Sequence, residues 1–125
     1  MIEVEVANRS GVAVDEDAAV VLARRVLEAE GVRDGDLGVA FVTPDEAATL
    51  KRTHLGIDET PDVLAFPLDG RDRLAPGVPR QLGDVIICPQ VVGDDWQEPL
   101  VHGLLHLLGY VHGAEMEARE GALRE

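Results

Sequence analysis

The chain opens on IEVEVAN, where apolar and charged residues alternate with period two, the pattern of a strand with one face in water. VDEDAAVVLARRVLEAEG follows, with acids at its front, an apolar stripe and Gly31 at its close, which predicts a helix of about four turns. DLGVAFVT is a second strand. It runs into TPDEAATLKRTHLG, where Thr43 and Glu46 have capping-box spacing, Pro44 takes the first helical position and Gly56 is the stop. DVLAFPL, residues 62–68, is a third strand, apolar enough to be central, and Pro67 ends its pairing. A turn-rich loop, DGRDRLAPGVPRQ, leads to a fourth strand, GDVIICP. WQEPLVHGLLHLLG then reads as a helix over residues 97–108, capped by Asp94 and Asp95 and stopped by Gly109. AEMEAREGALRE closes the chain as a charged helix. The order β-α-β-α-β-β-α-α predicts an α+β fold, a small mixed four-stranded sheet with helices packed on it.

Composition narrows the class. A length of 125 residues is expected to make one domain, residues 1–125, with a core of Val, Leu, Ile and Ala because aromatics are only 3%. One cysteine, Cys88, forbids an internal disulfide and suits a reducing cytoplasm. The first ten residues lack the basic and apolar regions of a secretory signal, and no apolar run approaches the ~20 residues that span a bilayer. A formal charge of −13 argues against DNA, non-specific RNA and anionic membrane as partners, although a local basic groove would still admit RNA.

The chemistry gathers in HGLLHLLGYVHG, which holds three of the four histidines. His102 and His106, four apart on a helix, share one face and can share one ion. Leu100, Val101, Leu104, Leu105, Leu107 and Leu108 fall on the opposite arc. Gly109 lets the chain reverse and return His112 past the helix end, a third nitrogen that leaves one tetrahedral position open, as catalytic zinc sites do. A lone helical histidine is ordinarily a packing or surface residue, but three at this spacing predict a metal site at the end of a helix. Zinc, one per chain, is the expected ion, and other divalent transition metals suit the same ligands. The spacing also matches metzincin proteases, but Gly103 stands where H-E-x-x-H enzymes keep their glutamate base, so a metallopeptidase is disfavoured. Gly103 costs about 1 kcal/mol relative to alanine within a helix, either simply tolerated or the result of a substrate or neighbour needing the space.

HGLLHLLGYVH resembles the HGxLHLxGYDH signature of the YbeY proteins, bacterial metal-dependent endoribonucleases of ribosomal RNA maturation. Asp62-Val63-Leu64-Ala65-Phe66-Pro67 is similar to that family's TDVLSFP strand, and Leu82-Gly83-Asp84-Val85-Ile86-Ile87-Cys88 to its LGDIxIC strand. The three blocks come in the family's order over roughly residues 35–113. The resemblance implies that His102, His106 and His112 bind zinc, that a metal-activated water cleaves small-subunit ribosomal RNA, and that the ribosome is the partner. Where the family reads LNxxYRxxDxPTDVLSFP, this chain has LKRTHLGIDETPDVLAFP: Lys51 replaces asparagine, His54 tyrosine, Leu55 arginine, Pro61 threonine and Ala65 serine. Val111 replaces the acid before the third histidine, and the stretch from Cys88 to His102 is shorter.

Charge on a phosphorane transition state calls for a cation that Leu55 cannot supply. Lys51 and Arg52, upstream on the same helix, are the candidates, set against ordinary solvated surface charge. Asp62 and the loop arginines Arg71, Arg73 and Arg80 are candidates for substrate contact on the same terms. His54 is expected at a helix end, Cys88 in the core, and Trp96 and Tyr110 in packing roles. The alternative to an endoribonuclease is a metal-stabilised ribosome-assembly module that has lost catalysis, favoured by Leu55 and Val111.

Overall fold

The structure is a computed structural model that describes residues 1–111 and 113–124, with the backbone alone of Arg124. The elements run β1 (Ile2–Asn8), α1 (Glu16–Ala29), β2 (Gly35–Phe41), α2 (Pro44–Leu55), β3 (Val63–Pro67), β4 (Gln81–Ile87), α3 (Pro89–Val92), α4 (Gln97–Leu107) and α5 (Ala114–Arg124). The sheet order is β1-β2-β4-β3, with β1, β2 and β4 parallel and β3 antiparallel to β4. The expected mixed four-stranded α+β architecture is the one found.

Capping follows the sequence for the first two helices. Asp15 accepts from the Ala18 amide at 3.0 Å, and Thr43 accepts from the Glu46 amide at 3.2 Å. The Glu46 carboxylate does not reach back to complete a capping box, because Arg9 holds it at 2.6 Å. The α4 cap differs from expectation. Trp96 is its N-cap, with no side-chain bond, so Asp94 and Asp95 lie outside the helix. The single-turn α3 escapes a periodicity argument because four residues are too few to show one.

Two apolar layers flank the sheet. On one face α1, α4 and α5 bury Val26, Leu27, Leu100, Leu104 and Met116 against Val39, Phe41, Val85 and Ile87. Trp96 joins this layer edge-on to Phe41, with centroids 5.6 Å apart. On the other face α2 closes a smaller cluster of Ala40, Val42, Ala47, Leu64, Ile86 and buried Cys88. β3 therefore reads as apolar on both sides, yet it is an edge strand and not a central one. Val63 and Ala65 face α4, while Leu64 and Phe66 face α2. A register shift between β2 and β4 turns Leu82 inward at the start of β4. Gly83 at that point has φ +126°, and a Cβ there would lie 2.2 Å from the Phe66 carbonyl oxygen, so the close approach of β3 requires glycine. Among the described residues no helix is long and apolar enough to cross a membrane.

Candidate metal centre

α4 separates its two functions by angle. Leu100, Val101, Leu104, Leu105, Leu107 and Leu108 are all buried, while His102 and His106 are partly exposed on the other arc. Gly103 has a neighbour that explains it. A Cβ on that residue would stand 2.7 Å from Val85 Cγ1 and 3.4 Å from Val63 Cγ2, so glycine lets the helix settle directly onto β4 and β3. At its C-terminus α4 ends in a Schellman turn: the Gly109 amide donates to His106 O and the Tyr110 amide to Leu105 O, each at 3.0 Å, with Gly109 at φ +97°.

That turn carries the Tyr110 carbonyl back against His106. His106 Nδ1 lies 3.0 Å from Tyr110 O, and since a carbonyl only accepts, this nitrogen bears the proton. His102 Nδ1 lies 3.1 Å from Glu120 Oε1 on α5, the same arrangement with a carboxylate acceptor. Each ring thus turns Nε2 to the cleft, and the two Nε2 atoms are 3.0 Å apart. Two imidazole lone pairs held this close repel unless a proton or cation lies between them. The separation is near the roughly 3.3 Å edge of a tetrahedron with bonds of about 2.0 Å, and an Nδ1–H fixed by carboxylate or carbonyl is the usual support of a metal-binding imidazole. The donor set fits zinc. His112, the third expected ligand, lies outside the described residues.

The imidazoles face a cleft of about 470 Å3 between α4, β3 and α5, lined also by Asp62, Val63, Ala65, Glu98, Pro99, Gly103 and Glu120. Neither glutamate is among the site residues expected from the sequence. Glu98 had a visible signal, since residues 98, 102 and 106 are successive i, i+4 positions on one helical face. Glu120 had none, because its approach depends on how α5 docks. Asp62 reaches the cleft wall, and its Oδ1 accepts from the Val63 amide at 2.8 Å. The cationic candidates are held elsewhere. Lys51 pairs with Glu59, Arg52 lies 3.8 Å from Asp58, and Arg80 clasps the carbonyls of Gly70 and Asp72 at 2.6 and 2.8 Å. Exposed Arg73 does not line the cleft, and His54 leans on Phe66 with centroids 5.1 Å apart.

Arg71 belongs to a hub around Glu30, the C-cap of α1, whose side chain is 3% exposed. Glu30 Oε1 accepts from Tyr110 Oη at 2.6 Å and Arg71 Nη2 at 3.0 Å, and Oε2 accepts from Arg119 Nε at 2.8 Å and from Arg119 Nη2. Tyr110 is therefore a hydrogen-bonding residue as well as a packing one. Burial alone would raise the Glu30 pKa, but the hydrogen bonds from Tyr110 and Arg119 and the charges of Arg119 and Arg71 outweigh it and hold the group below the usual glutamate value. Glu30 in turn raises the Tyr110 hydroxyl. A carboxyl lowered on folding stabilises above its unfolded value and loses that contribution as pH falls through the folded one; a raised tyrosine does so below its unfolded value and loses it on the alkaline side. With chelator present, the urea midpoint should fall on acidification below the ordinary glutamate range, and Glu30→Gln should flatten that acid limb. Parallel acid limbs in the two proteins would refute this assignment.

Fold and cleft together define a class: a mixed α+β sheet protein whose penultimate helix offers paired, oriented imidazoles to an acid-lined cleft at an edge strand. The family model described as Endoribonuclease YbeY matches residues 5–124. Endoribonuclease YbeY of Salinispora tropica is 38% identical over 137 residues, covering 94% of this chain and 87% of that protein. The protein of the same name from Thermobifida fusca is 38% identical over 135 residues, covering 94% and 85%. The solution structure of TM1509 from Thermotoga maritima matches with a TM-score of 0.60 at 25% identity, over 98% of this chain and 86% of that one. The chain belongs to the YbeY endoribonuclease family. The match takes in the first helix and residues 5–8 of the first strand, which precede the three motif blocks.

Proposed function

We propose that this chain is a zinc-dependent endoribonuclease of ribosomal RNA maturation, acting on small-subunit RNA in the cytoplasm. The observation that carries the metal reading is the convergence of the two Nε2 atoms with both Nδ1 atoms anchored; family membership carries the reaction. His102 and His106 would hold the ion, and the sequence supplies His112 as the third ligand. Bound zinc supplies Lewis acidity, acidifying water to a pKa of about 7 and polarising a phosphoryl oxygen. The protein's part is orientation: Tyr110 O and Glu120 fix the ring planes, and Gly103 lets β3 and β4 form the wall behind them. Glu98, on the imidazole face of α4, is the lining carboxylate we assign to accept the proton of the attacking nucleophile. Hydrolysis then requires that a proton return to the leaving oxygen as the phosphorus–oxygen bond breaks.

The test is cleavage of a structured small-subunit RNA fragment by purified protein. Cleavage that stops with chelator and returns with zinc is expected. Cleavage indifferent to chelator would sink the metal mechanism. A second reading, ribosome binding without cleavage, draws on one observation: no arginine or lysine is among the described residues lining the cleft. Small-subunit binding with intact RNA would favour it.

A further inference from the structure

Glu30 stands outside the cleft, yet both imidazoles depend on elements it joins. The carbonyl that receives His106 Nδ1 belongs to Tyr110, whose hydroxyl Glu30 holds at 2.6 Å. The carboxylate facing His102 Nδ1 belongs to Glu120, the residue after Arg119, whose guanidinium Glu30 also holds. α5 has apolar anchors in buried Met116 and Leu123, and Arg25 donates to Leu123 O at 2.9 Å, so its docking does not rest on Glu30 alone. Apolar contacts leave a helix some freedom to rotate and slide, whereas a carboxylate accepting from both Arg119 and Tyr110 fixes α5 and the turn after α4 against one point.

We infer that Glu30 is a positioning residue for the metal centre, setting through Tyr110 and Arg119 the groups that orient His106 and His102. This rests on the metal reading above. It implies that loss of the hub should weaken ion affinity in protein that is still folded, since disturbing the groups that orient ligands typically costs about 10–100-fold in affinity. Arg71 touches Glu30 from the β3–β4 loop and carries neither orienting group, so its loss should lower stability and leave affinity alone.

The experiment measures zinc affinity by competition with a chromophoric chelator for the wild type, Glu30→Gln, Tyr110→Phe, Arg71→Ala and His102→Ala, each with its urea midpoint. Tyr110→Phe keeps the carbonyl and loses only the hydroxyl, so it decides the matter even where Glu30→Gln fails to fold. About tenfold weaker binding in Glu30→Gln and Tyr110→Phe, with Arg71→Ala binding like wild type, supports the inference. Wild-type affinity in both folded variants overturns it while the metal site stands. Wild type that binds no more zinc than His102→Ala overturns the metal reading itself, and the inference with it.

Discussion

Freshly purified protein is expected to carry about one equivalent of zinc, and His106→Ala is expected to carry none. The substitution removes one of two nitrogens that meet at 3.0 Å and leaves the Tyr110 carbonyl without its imidazole donor. Disturbing only the partners of metal ligands costs about 10–100-fold in affinity, so losing a ligand should exceed that range, and RNA cleavage should fall to background with it. The fold should survive, because the change leaves the buried leucine arc of α4 untouched. His54→Ala is the matched control: its ring packs on Phe66 outside the cleft, so zinc should remain at wild-type level. Metal analysis of the three proteins, before and after zinc is supplied, settles the point. A His106→Ala protein that retains a full equivalent would show that His106 does not hold the ion, and the paired-imidazole site would go with it.

What the sequence made legible was whatever depends on angle along one element. The division of α4 into a leucine arc and a histidine arc follows from ~100° per residue, and Gly109 as a helix stop follows from backbone sterics; both are found. What stayed hidden depends on which surfaces meet. β3 looks central because α4 covers one face and α2 the other, and its composition cannot reveal that it lies at the edge of the sheet. Nothing in the loop's sequence shows the partners that Arg71 and Arg80 take, a buried carboxylate for one and the loop's own carbonyls for the other. Glu120 reaches the site from α5, so its place beside His102 depends on how that helix packs through Met116, Leu123 and Arg119.

Gly103 poses the same question most sharply, and its substitution should have the largest effect on stability. Alanine is a better helix former than glycine by about 1 kcal/mol, so propensity alone says Gly103→Ala should stabilise. The added Cβ would lie 2.7 Å from Val85 Cγ1, and Val85 is fully buried and stiff about its one side-chain torsion. Overpacking of this kind costs about 1–3 kcal/mol, which outweighs the gain, so Gly103→Ala should be less stable than wild type. Gly103→Glu would recreate the H-E-x-x-H spacing of a zinc peptidase but would start its side chain against Val85 and Val63. It should be destabilised well beyond the alanine variant, and should give no peptidase. Room can be made from the other side. Val85→Ala alone should destabilise by cavity formation, but in Gly103→Ala it should recover stability, a coupling of about 0.5–3 kcal/mol in a double-mutant cycle of urea midpoints. Additive effects would mean that the helix does not press on Val85 at this point. The recovery expected here identifies the glycine after the first histidine as the residue that seats the metal-bearing helix on its sheet.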